Sequence, residues 1–188
     1  GAAAVAIGPD AGSVTQGANA VAIGNTAGND DQGANSIAIG NSAGETTQSG
    51  YSVAVGSAAG TTSQGTGSVA IGNSAGQTTQ SGYAVAVGNA AGTTSQGAGS
   101  VAIGNSAGQT TQGASAVAVG GTAGKTNQGA NAIAIGQKAG ETNQAANSIV
   151  LNATGAAVNN TTASSLVITP IRSAAMTTIL GYDAGTGE

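Results

Sequence analysis

The sequence lacks cysteine, histidine, tryptophan and phenylalanine, and its 188 residues include three tyrosines and one methionine. The absence of cysteine excludes a disulfide framework, and without cysteine and histidine the usual zinc ligand sets cannot be built. Large aromatic side chains normally fill the interior of a domain of this length, so their scarcity excludes a conventional globular core. The chain must instead bring layers of backbone close together, as narrow solenoids do.

Charge is also scarce, with seven acidic and three basic residues and a formal net charge of −4. Because no basic cluster is present to follow a phosphate backbone, we do not expect nucleic acid as a partner. No apolar run reaches the ~18 residues needed to cross a bilayer, so membrane insertion is not expected either.

A regular repeat is the main feature of the chain. An apolar triplet recurs every sixteen residues in ten copies without an insertion, from Val5-Ala6-Ile7 to Ile149-Val150-Leu151. Numbered as sixteen columns from Gly1, columns 8 and 12 are almost always glycine, column 11 alanine and column 16 glutamine. A period held this strictly predicts identical structural units stacked as a solenoid, with bends at the glycine columns. Gly1 begins in register, which favours a fragment of a longer protein.

Sixteen residues accommodate two short strands of roughly five residues and two turns. This predicts an all-β fold, a two-sided parallel β-roll of about ten coils over residues 1–160. A three-sided helix requires multiples of six residues, and the larger β-helices generally require longer coils. Residues 161–188 depart from the repeat and are expected to form two short strands around a bend that cap the roll or provide the base of a trimer.

The triplets alternate β-branched residues with alanine, so that both faces of the strand are apolar. We expect the β-branched side chains to fill the interior of the coil. The predicted core columns comprise Val5, Ile7, Val21, Ile23, Ile37, Ile39, Val69, Ile71, Val101, Ile103, Ile133 and Ile135.

The alanines between them would then form an apolar stripe on the outside, which a partner chain should cover. This interpretation predicts a homotrimer. Its trimer-facing residues would be Ala6, Ala22, Ala38, Ala54, Ala70, Ala86, Ala102, Ala118 and Ala134.

Column 14 is predicted to lie in water and is rich in threonine. A structural ladder of stacked hydroxyls is the favoured interpretation, and an ice-binding surface is the alternative. Ice-binding arrays usually place threonines two residues apart, whereas here the residue two positions on is glutamine. The column contains Thr46, Thr62, Thr78, Thr94, Thr110, Thr126 and Thr142.

Motifs with apparent chemistry are better explained by the repeat. The pattern G-x-S-x-G of a hydrolase occurs at residues 40–44, 72–76 and 104–108, but no histidine exists to act as a base, and other copies place Ala58 or Lys138 at the serine position. Residues 120–126 are one residue short of a phosphate-binding loop. We therefore predict no enzyme activity, no metal and no cofactor.

The segments NSIAIG at 35–40 and GSVAIG at 99–104 resemble the head repeats of YadA-type trimeric autotransporter adhesins. That resemblance implies a left-handed, trimeric β-roll displayed outside the cell, although sixteen residues per coil exceed the repeat of that family. Residues 166–172 (LVITPIR) and 179–188 (ILGYDAGTGE) resemble the segment of phage and giant-virus fibre proteins that precedes an endosialidase-type intramolecular chaperone. This second resemblance implies assembly by a chaperone that is later removed.

These observations predict a shaft or head segment of an extracellular or virion-surface trimeric attachment protein. Its partners would be two further copies of itself and, through adhesion, a host-surface glycan or protein. The alternatives are an ice-binding solenoid and, less favoured, a fragment of a tailspike depolymerase. The latter requires paired carboxylates on a groove, and the chain has only scattered ones.

Overall fold

The computed structural model describes residues 1–171, and this part of the chain is all-β. Its sixteen strands are β1 (Val5–Ile7), β2 (Val21–Ile23), β3 (Ile37–Ile39), β4 (Thr47–Gln48), β5 (Val53–Val55), β6 (Ser63–Gln64), β7 (Val69–Ile71), β8 (Thr79–Gln80), β9 (Val85–Val87), β10 (Val101–Ile103), β11 (Thr110–Gln112), β12 (Val117–Val119), β13 (Thr126–Gln128), β14 (Ile133–Ile135), β15 (Ile149–Asn152) and β16 (Leu166–Thr169).

Every pairing between these strands is parallel and joins successive coils. Eleven strands form one continuous sheet, here called sheet A, in the order β1-β2-β3-β5-β7-β9-β10-β12-β14-β15-β16. The remaining strands form a second, interrupted side of the roll, as β4-β6-β8 and β11-β13. Isolated bridges such as Gln16 to Gln32 and Gln96 to Gln112 extend this second side.

The register confirms a parallel solenoid of about ten coils with about sixteen residues per turn. Val5 pairs with Val21, and Val101 pairs with Val117, so each column of the repeat stacks on itself. The last pairing differs, since Ile149 lies opposite Leu166, seventeen residues later. At about 4.8 Å per coil, the ten coils form a rod roughly 50 Å long.

The glycines of column 8 lie at bends where coils approach closely. Gly24 has φ of 131°, and a Cβ atom placed on it would lie 2.5 Å from the carbonyl oxygen of Gly40 in the next coil. Any larger residue would therefore be strained and would also clash with backbone. This explains why the column is almost invariant.

The interior of the roll is lined by alanine, contrary to the prediction that valine and isoleucine fill it. From the second coil onward the alanines of columns 6 and 11 are completely buried and form one core cluster. The column 6 alanines therefore cannot face a partner chain, and only Ala6 of the open first coil is exposed. The corrected interior positions are Ala22, Ala38, Ala54, Ala70, Ala86, Ala102, Ala118 and Ala134.

The β-branched residues of the triplets project outward and are half-buried or exposed in the single chain. The physical reason is the width of the coil. Gln112 extends from the opposite side, and its amide nitrogen lies 2.8 Å from the carbonyl oxygen of Val101, so only a methyl group fits beside it. The residues that were predicted to point into the coil and instead point outward are Val5, Ile7, Val21, Ile23, Ile37, Ile39, Val69, Ile71, Val101, Ile103, Ile133 and Ile135.

The start of the C-terminal segment continues the roll. β16 adds an eleventh strand to the end of sheet A and ends just before Pro170. The second strand expected in this segment, together with residues 172–188, lies outside the described residues.

Candidate functional site

The outward side of sheet A is an apolar surface that runs the length of the roll. We call it the aliphatic face, and it consists of the side chains of columns 5 and 7. In column 7 isoleucine and valine alternate from the third coil to the ninth, and Ile71, Ile103 and Ile135 protrude with 40%, 41% and 43% of their surface exposed. A stripe about 10 Å wide and 50 Å long covers roughly 500 Å² in plan. Apolar patches of this size are often functional on soluble proteins.

A ladder of buried glutamines holds this face in place from inside the coil. The amide nitrogen of Gln48 donates to the carbonyl oxygen of Ile37 at 2.7 Å and to the side-chain oxygen of Gln64 at 3.1 Å. Each glutamine thus joins the two sides of its own coil and usually also the next coil. The ladder is interrupted at the side-chain oxygens of Gln32 and Gln112, which have no hydrogen-bond partner.

The sequence-based interpretation noted the recurrence of glutamine in column 16 but did not identify this ladder. A signal was present in the repeat itself. Column 16 is glutamine in nine successive coils, whereas column 15 beside it varies among threonine, serine, asparagine and aspartate. When a long polar residue stays the same from coil to coil while its exposed neighbour changes, a buried and hydrogen-bonded position is indicated.

The threonines of column 14 form a separate polar surface with the residues of column 15. We call these two columns the hydroxyl edge. The column 15 residues Thr47, Ser63, Thr79, Ser95 and Thr111 are all exposed, and the next residue in each coil is the buried glutamine. In column 14, Thr46, Thr62, Thr78, Thr94 and Thr142 are exposed, while Thr110 and Thr126 are half-buried.

Asparagine side chains form further ladders on the outside of the turns. The amide of Asn105 donates to Asn89 at 3.0 Å, and Asn89 donates to Asn73 at 3.2 Å. These bonds link successive coils and use up polar groups that a ligand would otherwise contact. They are best explained as structural.

The roll has a depression of about 320 Å³ at the C-terminal end of the aliphatic face, between Ile135, Leu151 and Ile168. The serine of the G-x-S-x-G pattern at residues 40–44, Ser42, occupies a turn with φ of 53°. Within residues 1–171 no group of three metal-ligating side chains occurs. The same range contains no helix with the length and apolarity needed to span a bilayer.

Comparisons of the chain with protein-family models, with curated proteins and with solved structures gave no match.

Proposed function

We propose that the chain is a shaft or head segment of a trimeric attachment fibre displayed outside the cell or on a virion. The observation that carries this proposal is the aliphatic face, which runs along ten successive strands of sheet A and continues onto β16 through Leu166 and Ile168. A surface with this length and period suits a structural partner better than a small molecule. Its natural complement is the same surface on another copy of the chain.

Three copies would bury their aliphatic faces around a common axis. A single narrow roll buries mainly alanine, so packing between chains would supply the burial of larger side chains that the coil interior lacks. The hydroxyl edge, which lies away from this face in the coil, would remain in water. The threefold symmetry is supported by the resemblance of the repeats to trimeric adhesin heads.

In this arrangement the roll acts as a stiff spacer and presents its outer surfaces to a host. We propose no enzymatic role, because the sequence contains no histidine and the carboxylates within the array are scattered.

The proposal is tested by the mass of the purified chain in solution. Sedimentation equilibrium at micromolar concentration should give three times the 17.2 kDa mass of one chain. A monomer under these conditions would overturn the trimer.

A charge on the aliphatic face should dissociate the assembly. Ile71→Asp places a carboxylate in the proposed interface, where an unpaired charge costs about 3 kcal/mol or more. Because Ile71 is 40% exposed in the single chain, the roll itself should still form, and circular dichroism should retain its β signal. Thr78→Asp adds the same charge to the hydroxyl edge of the same coil and should remain trimeric. Dissociation of both variants, or of neither, would contradict the assignment of the interface.

The hydroxyl edge supports a second candidate function, ice binding. The favouring observation is that Thr46, Thr62, Thr78 and Thr94 are exposed in four successive coils, at a spacing of about 4.8 Å. Thermal hysteresis and inhibition of ice recrystallisation measure this directly. Loss of such activity in Thr78→Val, with the fold retained, would support it, and an inactive wild-type chain would remove it.

A further inference from the structure

Two exposed tyrosines occupy the same column of the repeat, two coils apart. Tyr51 and Tyr83 both lie in column 3, with 70% and 73% of their surface exposed. Their φ angles are 61° and 60°, in the left-handed region that bulky residues seldom adopt. Other coils place asparagine, serine, glycine or alanine at this column. Two tyrosines held in an unfavourable backbone conformation and left in water indicate a functional position.

The tyrosines belong to a longer period of two coils. Residues 49–64 and 81–96 are nearly identical, as are residues 65–80 and 97–112 between and after them. The second type of coil places Gly67 and Gly99 in column 3, so tyrosine and glycine alternate along the surface. At about 4.8 Å per coil, the two tyrosines lie roughly 10 Å apart along the rod.

Gly67 leaves room for the ring of Tyr83. A Cβ atom on Gly67 would lie 3.0 Å from Cδ1 of Tyr83, so the ring lies over the glycine backbone. Gly99 has the same φ of 64°, but a Cβ atom there would meet only the hydroxyl of Ser115, at 4.0 Å. The two glycines are therefore equivalent in backbone and differ in their contact with a tyrosine.

The backbone beneath the rings is fixed by bonds between coils. The amide of Tyr51 donates to Ala34 at 3.0 Å, that of Tyr83 to Thr66 at 2.9 Å, and that of Gly67 to Gly50 at 3.2 Å. A site anchored in this way requires little ordering when a ligand binds. No charged residue occurs anywhere in residues 49–112, which favours a neutral ligand.

We propose that Tyr51 and Tyr83 form a stacking site for a neutral, linear β-1,4-linked glycan that lies along the rod. The apolar C–H face of a pyranose packs on an exposed aromatic ring. In a β-1,4 chain successive sugars are turned over, so the same face recurs once per disaccharide, a length comparable with two coils. Gly67 gives the Tyr83 ring its place on the surface. The exposed side chain of Thr66, in the coil between the two tyrosines, lies beside the path for hydroxyls of the intervening sugar. The inference rests on the proposed attachment function and names the class of ligand.

The test is to titrate the full chain with cellohexaose and with chitohexaose. Binding is measured by calorimetry and by tyrosine fluorescence, which has no tryptophan background in this sequence. Binding of either oligosaccharide is expected, and the two arms distinguish a glucan from an N-acetylglucosamine polymer. Maltohexaose, whose α linkages curve the chain, should bind at least about tenfold more weakly. Equal binding of all three, or binding of none, would overturn the proposal.

Variants locate the site. Tyr51→Asn and Tyr83→Asn introduce the residue that other coils carry at this column, so the fold should be retained. Each should weaken binding about tenfold, since an aromatic contact with its buried area is worth on the order of 1.4 kcal/mol. Unchanged binding would overturn the assignment.

The glycines provide a matched pair. Gly67→Asn should displace the ring of Tyr83 and weaken binding, whereas Gly99→Asn at the same φ should bind as the wild type does. Equal effects of the two variants would show that the Tyr83 ring is not involved.

Sedimentation of each variant tests whether the tyrosines contact a second copy of the chain instead of a glycan. Dissociation by Tyr83→Asn would overturn the glycan site, whereas an intact trimer that binds no glycan would overturn the site and leave the fibre proposal standing.

Discussion

The regular coils and the last coil of the roll are stabilised in different ways. In the regular coils one glutamine per turn bridges the two sides, and alanine fills the remaining interior. In the last coil Val150 replaces the alanine and is fully buried, while Val158 and Val167 pack against the same core. Larger aliphatic side chains fit here because Asn160, which is shorter, takes the place of the glutamine.

Most side-chain hydrogen bonds in the last coil are local and only a few reach the preceding coil, whereas those of the regular coils repeat along the stack. The amide of Asn152 donates to the carbonyl oxygens of Gln137 and Ala156, both at 2.7 Å, and its oxygen accepts from the backbone of Thr154 at 3.0 Å. Periodic bonds allow the array to extend, and local bonds close it. The comparison therefore predicts that a given substitution has different effects in the two regions.

The largest difference is expected for a charge in the glutamine ladder. In Gln80→Glu a carboxylate replaces the amide nitrogen that donates to Val69 at 2.8 Å and to Gln96 at 3.0 Å, leaving these acceptors facing a buried negative charge. The loss of stability should be about 3–5 kcal/mol at neutral pH. Urea unfolding followed by circular dichroism measures it.

Gln16→Glu provides the control in the open first coil. Gln16 is half-buried, so its variant should lose much less than Gln80→Glu. Equal losses at the two positions would contradict the view that complete burial by neighbouring coils makes the ladder important.

The next effect concerns the volume of the interior. Ala118→Val should destabilise the roll by about 1–3 kcal/mol, because the methyl-sized space beside Gln128 cannot take a β-branched side chain without strain. In the last coil the same column already holds Val150, and Val150→Ala should lose stability by leaving a cavity. Thermal unfolding of both variants tests this reversal. A stabilised Ala118→Val would show that the regular coils have unused space.

The same contrast explains which parts of the fold were predictable. The sixteen-residue period, the strands and the glycine bends follow from local patterns such as Val101-Ala102-Ile103 and its recurrence. Which face of that strand points into the coil does not follow from the pattern. Both faces are apolar, and alternation alone cannot choose between them. The choice is made across the coil by Gln112, whose length and need for hydrogen bonds exclude valine from the interior. The alternation within a strand carries no information about such a contact between two sides of a coil, and its trace in the sequence is the unvarying glutamine of column 16.

Substitutions at the bends should have an intermediate effect. In Gly72→Ala the new Cβ atom would lie 2.6 Å from the carbonyl oxygen of Gly88, at a φ of 127°, so the two coils must separate locally. A loss of about 1–3 kcal/mol is expected from strain of this kind. Gly121→Ala, one residue after the equivalent bend, has nothing within 4 Å of its new Cβ atom and should be nearly neutral in the same unfolding experiment.

The smallest effect on the array as a whole should come from the local bonds that close the last coil. The side-chain oxygen of Asn160 accepts from the backbone amide of Thr162 at 3.2 Å and from the hydroxyl of Ser165 at 2.9 Å. Asn160→Ala removes both bonds, each worth about 1 kcal/mol. Because only β16 lies beyond β15 in the described stack, the loss should appear as fraying of these two strands while the regular coils stay folded. Amide hydrogen exchange should therefore accelerate at Leu151 and Ile168 and remain unchanged at Val101. Faster exchange throughout the array would mean instead that closure of the end stabilises every coil, and the two regions would then behave as one cooperative unit.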